Sequence, residues 1–369
     1  MAADTALKLS MDADVFFAQS YAQARGKFEA GAQAAGLAVQ SHRHPLLGQD
    51  GETLALDVAR MGAPDAQSVL IISSACHGVE GFCGSGLQNA LLADPGFHAA
   101  ARAAGVAVLY LHALNPWGFS WWRRTTQENV DLNRNWHNFS QPLPHNADYE
   151  SLAHAVLPSS WPPSADNEGV LAAYAQQHGP RALQAAVTGG QYQFPEGLFY
   201  GGQNPTWSHQ ALRQVLREHG SRCSRLSWID IHTGLGASGH AELIFAGRDD
   251  AAAVARARAW WGPTVTSIYD GTSASALLSG LMFNAGYEEC AQAEYTGIAF
   301  EVGTVPMHEV IGALRQDQWF ENHPDAAATD RTAARRRMRD TFYTDTPLWK
   351  QQVVEQGLRT ARQAIAGLT

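Results

Sequence analysis

Continuous runs of apolar residues that end in small or polar ones mark the central strands of this chain. Three such runs lie at 68–78 (SVLIISSACHG), 105–116 (GVAVLYLHALNP) and 225–234 (RLSWIDIHTG). A run without alternation is typical of a strand that is buried on both faces. Residues 84–94, between the first two runs, have the apolar spacing of a helix. Strand, helix and strand in this order predict a parallel α/β sheet.

The remaining pattern extends this sheet and adds helices at both ends of the chain. Residues 53–62 alternate and predict an outer strand, while 240–247 and 296–304 predict two more strands. Helical spacing predicts a leading helix over 12–38 and a closing helix over 349–368. We therefore expect residues 1–369 to form a single α/β domain, with a mixed, mostly parallel central sheet flanked by helices.

The composition changes after Trp136: residues 137–165 are rich in Pro, Asn, Ser and His, and residues 166–200 combine a short helix with the loop GGQYQFPEGLFY. Segment 137–200 is too long for an ordinary connection. We expect it to be an insertion at the rim of the site. Its aromatic residues would either wall the cleft or seal the insertion onto the sheet: Trp161, Tyr192, Phe194 and Tyr200.

Composition narrows the class of protein. Of 369 residues, 45% are hydrophobic and 17% charged, which is a globular balance. The net charge of −9 argues against a nucleic-acid partner, which needs clustered Lys and Arg. The one basic cluster, 331–339, is interpreted as the solvated face of a helix. Four cysteines do not make a disulfide framework.

No membrane or export segment is expected either. The first residues, MAADTALKLSMDADVFF, lack a cationic region followed by an apolar one, so we expect no signal peptide. No stretch approaches the roughly 18 apolar residues that span a bilayer. These observations predict a soluble cytoplasmic protein without a membrane partner.

Residues 115–136 (NPWGFSWWRRTTQENVDLNRNW) carry a group of hydrogen-bond donors. Arg124, Asn133 and Arg134 lie around one loop. A guanidinium group is permanently charged and matches a carboxylate with two parallel hydrogen bonds. The loop therefore predicts several donors and no acceptor for an anionic group of a substrate.

Metal-binding residue types follow the predicted strands. His77 and Glu80 stand in HGVEG just after one buried run, and His232 ends another. Ligands at the carboxyl ends of neighbouring parallel strands converge over the sheet. Two histidines and a glutamate make a three-ligand zinc site whose fourth position stays open for water. No His-Glu-x-x-His string occurs, which excludes metalloproteases of that kind.

Two residues near these ligands have alternative interpretations. Asp230, two positions before His232, either orients that ligand from behind or pairs with Arg124 or Arg134. Cys76 is interpreted as a small buried apolar residue, with a role as a soft metal ligand as the alternative.

Glu301 is a charged residue inside an apolar run, GIAFEVGT. A buried carboxylate is costly unless it is paired or functional. Beside a metal site it would accept the proton of the attacking water and pass it to the leaving amine. The alternative is a structural glutamate that pairs with an arginine.

The order HGVE, then an arginine, then LNRNW, then a strand-end His and a strand-end Glu resembles the zinc carboxypeptidases of the carboxypeptidase A type. The motifs span residues 70–305, about two thirds of the chain. The resemblance implies a carboxypeptidase-like fold and one zinc ion per chain. It implies His77, Glu80 and His232 as the zinc ligands.

The same resemblance assigns the other site residues. It implies Glu301 as general base and Arg124 as the group that polarises the scissile carbonyl. It implies Asn133 and Arg134 as the groups that hold the terminal carboxylate of a substrate. The tyrosine that covers the substrate in that family has no clear counterpart in this sequence.

The Asp-x-His-Thr form at 230–233 is closer to the succinylglutamate desuccinylase and aspartoacylase branch, whose members deacylate N-acyl amino acids. Three hypotheses follow: a metallocarboxypeptidase that cleaves a small peptide next to a free carboxylate, an N-acyl amino acid deacylase, and a binding module without chemistry. The complete set of ligands, base and arginines argues against the third. Zinc suits the ligands, although such a site also accepts cobalt or nickel.

Overall fold

One sheet lies at the centre of the protein. The computed structural model describes residues 13–369. Its eight strands are β1 (Val39–Leu47), β2 (Thr53–Met61), β3 (Ser68–Ser73), β4 (Val106–His112), β5 (Arg225–Gly234), β6 (Ala241–Phe245), β7 (Thr266–Ser267) and β8 (Glu294–Gly303). They are ordered β1-β2-β4-β3-β5-β8-β6-β7 across the sheet.

Thirteen α-helices flank this sheet within residues 13–369. They are α1 (Tyr21–Ala34), α2 (Gly81–Leu92), α3 (Pro95–Ala103), α4 (Pro116–Ser120), α5 (Ala147–Val156), α6 (Ala165–His178), α7 (Pro180–Thr188), α8 (Trp207–His219), α9 (Ala251–Trp261), α10 (Asn284–Glu289), α11 (Met307–Asn322), α12 (Ala328–Phe342) and α13 (Pro347–Gly367). Several begin at a side-chain cap; Ser20, Asp94 and Thr346 each accept a hydrogen bond from a backbone N–H of the first turn.

The four central strands, β4, β3, β5 and β8, are parallel, and the outer pairs β1–β2, β2–β4 and β6–β8 are antiparallel. Every residue of β3 and β4 is buried, as their continuous apolar runs predict. The expected mixed α/β sheet flanked by helices is therefore confirmed.

The order of the strands creates a crevice at β3. The chain runs from β3 to β4 on one side and later places β5 on the other side, so the direction of winding changes between β3 and β5. Open α/β sheets bind ligands outside the carboxyl ends of the strands at such a point. Ser73 at the end of β3 is in register with Asp230, and His232 with Glu301. The sheet thus brings three strand ends together.

The periphery differs from the sequence-based expectation. The alternating segment at 53–62 is not an outer strand, since β1 covers its edge. The expected helix over 12–38 is interrupted: a 3-10 turn at Ala13–Phe16 precedes α1, and the chain then enters β1. Residues 1–12, which include most of the segment inspected for a signal peptide, lie outside the described residues.

The basic cluster is also only partly as expected. It lies on α12, but Arg335 and Arg339 turn inward, with side chains 12% and 13% exposed. Arg335 pairs with Asp317 of α11, and Arg339 pairs with Asp345. The interpretation of this cluster as a wholly solvated face is therefore wrong. Within residues 13–369, no helix is both long enough and apolar enough to traverse a bilayer.

Candidate metal centre and substrate cleft

The side chains of His77, Glu80 and His232 meet beyond the carboxyl ends of β3 and β5. Nδ1 of His77 lies 3.0 Å from Oε1 of Glu80 and 3.3 Å from Nδ1 of His232. Nδ1 of His232 lies 3.2 Å from Oε2 of Glu80. All three residues are buried, with 5% exposure or less. Two imidazole nitrogens and one carboxylate therefore converge inside the protein.

The spacing of these donor atoms fits a tetrahedral metal ion. Zinc bonds of about 2.0–2.1 Å place neighbouring ligand atoms about 3.3 Å apart. The three measured separations, from 3.0 to 3.3 Å, are close to this value. Two imidazoles and one carboxylate are also the ligand types that zinc takes in catalytic sites. The residues present thus fit a zinc ion.

A second group of potential ligands lies behind the first and shares one member with it. Cys76, Asp230 and His232 also bring their donor atoms within 4.8 Å of one another. Burial raises the pKa of the Cys76 thiol well above its usual range. Cys76 does not line the cleft, so an ion held by this second group would lie away from the substrate space.

Asp230 supports His232 from behind. Its Oδ2 lies 2.6 Å from Nε2 of His232, and its Oδ1 accepts a hydrogen bond from the hydroxyl of Ser73 at 2.5 Å. The Ser73 hydroxyl in turn accepts one from the indole of Trp228 at 2.7 Å. A proton on Nε2 beside Asp230 would leave the Nδ1 lone pair for a metal ion held together with Glu80. The alternative pairing of Asp230 with Arg124 or Arg134 is not found.

Asp131 is a site residue that the sequence analysis did not single out. Its Oδ1 lies 3.2 Å from Nε2 of His77, and its Oδ2 accepts a hydrogen bond from Nε of Arg124 at 3.0 Å. Burial alone would raise the pKa of the Asp131 carboxyl, but Arg124 and His77 outweigh it and hold that pKa well below its usual range. His77 thus has a carboxylate behind it, as His232 has.

This contact corrects one expectation. Arg124 was predicted to belong to a loop with donors and no acceptor, but Asp131 of the same loop is an acceptor for it. Nη1 of Arg124 also lies 3.2 Å from Oε1 of Glu80, and its Nη2 lies 2.8 Å from Nε2 of His77. Arg124 therefore sits directly against the ligand group and faces the cleft with part of its surface.

Glu301 lies on β8 beside His232 and also faces the cleft. Its Oε1 accepts a hydrogen bond from the backbone N–H of Leu235 at 2.9 Å. Burial, together with the negative charge of Glu80, raises the pKa of the Glu301 carboxyl to about 7. No arginine or lysine of the described residues forms an ion pair with it, so the alternative of a structural ion pair is not found.

Arg134 and Asn133 occupy another part of the same cleft. The guanidinium of Arg134 donates to the carbonyls of Thr188 (2.7 and 3.1 Å) and Asn133 (2.8 Å), and it stacks over Phe199. Among the described residues no carboxylate lies within ion-pair distance of it. Burial lowers the pKa of Arg134. A buried cation with only neutral partners is suited to an anionic ligand.

These groups line one cleft of about 840 Å³, its mouth included. On one side of the ligand group the wall is aliphatic and aromatic, with Ile244, Ile268, Leu281 and Phe283. The cleft thus combines a polar floor with an apolar pocket, as small-molecule sites commonly do.

Segment 137–200 reaches the cleft through other residues than expected. Gln184, Thr188 and Phe199 line it, whereas the four aromatic residues named from the sequence do not. Tyr192 instead lies behind Arg134 and donates to its backbone carbonyl at 2.8 Å. Phe194 packs against Tyr149 of α5. The expectation that these aromatic residues wall the cleft was wrong.

Comparison with known protein families assigns the chain to one family. The model of a family described as "Protein of unknown function (DUF2817)" matches residues 17–356. The chain belongs to this family. No curated protein matches it.

Several solved structures are similar to this DUF2817 protein at low sequence identity. Carboxypeptidase A from Helicoverpa armigera is 11% identical, with 89% of this chain and 75% of that one covered and a TM-score of 0.40. A metallo-carboxypeptidase from Burkholderia cenocepacia is 13% identical, with 94% and 71% covered and a TM-score of 0.41. Bovine thrombin-activatable fibrinolysis inhibitor is 11% identical, with 89% and 98% covered and a TM-score of 0.46.

In this DUF2817 protein the turn at residues 77–80, which carries His77 and Glu80, depends on a close approach of two backbone segments. The N–H groups of Gly78 and Val79 donate to the carbonyls of Arg124 and Arg123 at 3.1 and 2.8 Å. A Cβ atom at position 78 would overlap backbone carbons of Gly118. The turn therefore has no room for a side chain there.

We expect Gly78→Ala to lower the free energy of unfolding by about 1–3 kcal/mol, because the backbone must shift to admit the methyl group. Gly26→Ala is the matched control, since a Cβ there meets nothing within 4 Å in the middle of α1. That variant should gain about 0.5–1 kcal/mol. Chemical denaturation of both variants measures the difference. Equal stability would show that the turn can relax.

Proposed function

We propose that this protein is a metal-dependent hydrolase, similar to metallocarboxypeptidases, that cleaves an amide bond next to a free carboxylate. One observation carries the proposal: donor atoms of His77, Glu80 and His232 lie 3.0 to 3.3 Å apart in a cleft that Glu301 also lines. When bound there, zinc would polarise the scissile carbonyl and acidify water.

Glu301 is the proposed general base. A carboxyl group with a pKa near neutrality can accept a proton from the attacking water and return it to the leaving nitrogen. The hydrogen bond from Leu235 fixes one of its oxygens and leaves the other for the proton.

Arg124 is proposed to stabilise the negative charge that develops on the carbonyl oxygen. In the proposed state Nε2 of His77 carries a proton that faces Asp131. The resulting repulsion would direct the neighbouring Nη2 of Arg124 away from His77 and into the cleft. A donor placed in advance at a developing charge contributes mainly to the transition state.

Arg134 and Asn133 are proposed to hold the free carboxylate of the substrate. Two observations support this role. Arg134 has no ion-pair partner among the described residues, and it lines the cleft. The apolar pocket with Ile268, Leu281 and Phe283 would then take an aliphatic or aromatic side chain of the released amino acid.

An N-acyl amino acid deacylase is the second candidate function. Such an enzyme would use the same residues to cleave the same kind of amide bond. The two functions differ in the group on the acyl side of that bond, which is an amino acid in a peptide and a carboxylic acid in an N-acyl amino acid. The Asp230–His232 contact of 2.6 Å supports it, because the Asp-x-His-Thr form belongs to that branch of the resemblance.

Activity assays test the proposal and separate its two forms. Zinc-loaded protein would be incubated with C-terminal dipeptides and with N-acyl amino acids, and release of the free amino acid would be measured. Release from either class, lost on chelation and restored by zinc, supports a metallohydrolase. No release from any member of both classes would contradict the proposal.

The two arginines should have separable kinetic effects. We expect Arg134→Gln to raise KM by about 10- to 100-fold with little change in kcat, because a charged hydrogen bond to the carboxylate exists equally in ground and transition states. We expect Arg124→Gln to lower kcat by about a hundredfold, because the charge it meets develops in the transition state.

The control is a substrate whose carboxylate is replaced by an amide. Arg134→Gln should act on it like the unchanged protein, whereas Arg124→Gln should still be slow. Identical effects of both variants on both substrates would show that the roles are assigned wrongly.

A further inference from the structure

A second groove opens from the mouth of the cleft between α6, α7 and α11. The two spaces share Gln184 and Thr188 of α7 on one side and Met307 and Ile311 of α11 on the other. The groove therefore borders the cleft along α7 and α11.

Most of the wall of this groove is aliphatic, and five polar residues lie among the apolar ones: Glu168, Gln184, Thr188, His308 and Arg315. Its aliphatic part is formed by Val156, Leu171, Leu183, Val187 and Ile311, with the methyl groups of Ala172 and Ala175. Leu171, Leu183 and Ile311 are only partly buried in the protein itself. A ligand that covered them would remove apolar surface from water, which favours binding in proportion to the area covered.

The polar groups along the groove, except the exposed side chain of His308, already have partners. Arg315 pairs with Glu168 at 2.8 Å and donates to the carbonyls of Val156 and Ala155 at 2.8 and 2.9 Å. The hydroxyl of Thr188 donates to the carbonyl of Gln184 at 2.8 Å. The side-chain amide of Gln184 donates to Ala274 at 2.9 Å.

This distribution distinguishes a hydrocarbon chain from a peptide. An extended peptide carries an N–H and a carbonyl at every residue, and burying them without partners is costly. The flanking helices satisfy their backbone groups internally, apart from the end turns that reach the groove at Thr188 and Met307. A polymethylene chain has no group that needs a partner, so the groove suits it better.

The mouth itself presents exposed apolar side chains. Met307 is 36% exposed and lines both spaces, and Leu277, 59% exposed, lies between Ser275 and Leu278 of the cleft wall. Exposed side chains of this size at the entrance of a cleft fit an amphiphilic ligand, whose chain lies against them while its carboxylate enters first.

We propose that this groove binds a long alkyl acyl chain, so that the substrate is an N-acyl amino acid with an extended acyl group. The inference rests on the proposed function and chooses between its two forms. Water adds across the amide bond, the C–N bond breaks, and a carboxylic acid and the free amino acid leave. The carboxylate of the amino acid would face Arg134 and the acyl chain would lie along α7 and α11.

Binding to a variant without turnover tests the groove separately from catalysis. Full-length Glu301→Gln protein loaded with zinc would be titrated calorimetrically with acetyl, butyryl, hexanoyl and decanoyl leucine below their micelle concentrations. We expect affinity to rise about two- to fourfold for each added methylene group, as for alkyl burial. A leucine tripeptide of similar length should bind more weakly than the decanoyl compound.

Two phenylalanine variants of α6, only one of which fills the groove, provide a matched comparison. Ala175→Phe places a ring in the groove, whereas Ala173→Phe places the same ring on an exposed position of the same helix that does not line it. Ala175→Phe should abolish the dependence on chain length and leave acetyl leucine binding unchanged. Ala173→Phe should behave like the parent.

The outcomes separate the two proposals. Affinity that is independent of chain length, or a tripeptide that binds more tightly than decanoyl leucine, would overturn the groove assignment. Unchanged chain-length dependence in Ala175→Phe would do the same. Failure of the unchanged protein to hydrolyse any of these compounds would count against the proposed function, while the binding series still decides what the groove holds.

Discussion

Replacing Glu301 with glutamine should lower turnover at least about a hundredfold while metal content and folding stay unchanged. The amide has nearly the shape of the carboxyl group and can still accept the hydrogen bond from Leu235. It cannot accept a proton from water. The loss should therefore appear in kcat, measured at saturating substrate, and not in zinc content or thermal unfolding.

Glu294→Gln is the control for this experiment. Glu294 lies at the opposite end of the same strand and is exposed, with its side chain 3.4 Å from Arg256. Its replacement makes the same chemical change to β8 away from the cleft and should leave kcat unaltered. If Glu301→Gln keeps more than about a tenth of the turnover, another group is the base.

The central part of the fold was predictable because its pattern is set by burial. β3 and β4 are enclosed on both faces, so most side chains in them are apolar. The polar residues that follow, such as His77, and those that interrupt the runs, such as Glu301, stand out against this background. Strand ends in a parallel sheet share one edge, which is why residues far apart in sequence were expected to meet.

The outer elements were less predictable because fewer of their residues are buried. β1 has the sequence VQSHRHPLL, exposes most of its side chains, and contains a proline, as edge strands tolerate. Its pattern does not alternate clearly, so the sequence does not predict a strand there. In α12, the charge of Arg335 concealed that its side chain is turned inward, because its partner Asp317 is 18 residues away on α11.

The predicted details of the site were wrong where they depend on the path of a loop. Asp131 was visible in the motif DLNRN, but which donor a carboxylate meets is decided by the path of the loop. Phe199 lines the cleft and Tyr192 does not, because the Tyr192 hydroxyl is bonded to the carbonyl of Arg134. Composition indicated that the segment is aromatic but not which ring faces the site.

The charges around the ligand group favour a cation. Four buried carboxyl groups lie in or directly behind the site, those of Glu80, Asp131, Asp230 and Glu301. Two guanidinium groups, those of Arg124 and Arg134, face them. Buried charges are costly unless they are compensated. Carboxyl groups thus outnumber guanidinium groups around the site, which suits a bound cation.

We expect the protein to bind about one zinc ion per chain, and His232→Ala to lose it. An outer-sphere partner typically contributes about 10- to 100-fold to metal affinity, and removing a direct ligand should cost more. Elemental analysis of protein dialysed against zinc, and competition with a chromogenic chelator, measure the effect. His98→Ala is the control, because His98 is a buried histidine bonded to Tyr110 and does not line the cleft.

Two further variants decide which group of ligands holds the ion, since His232 belongs to both. His77→Ala should also lose zinc, whereas Cys76→Ala should keep it, because Cys76 lies behind the site and does not line the cleft. The reverse result would assign the ion to Cys76, Asp230 and His232. Full zinc retention by His232→Ala would remove both groups, and the cleft would then need a different chemical explanation.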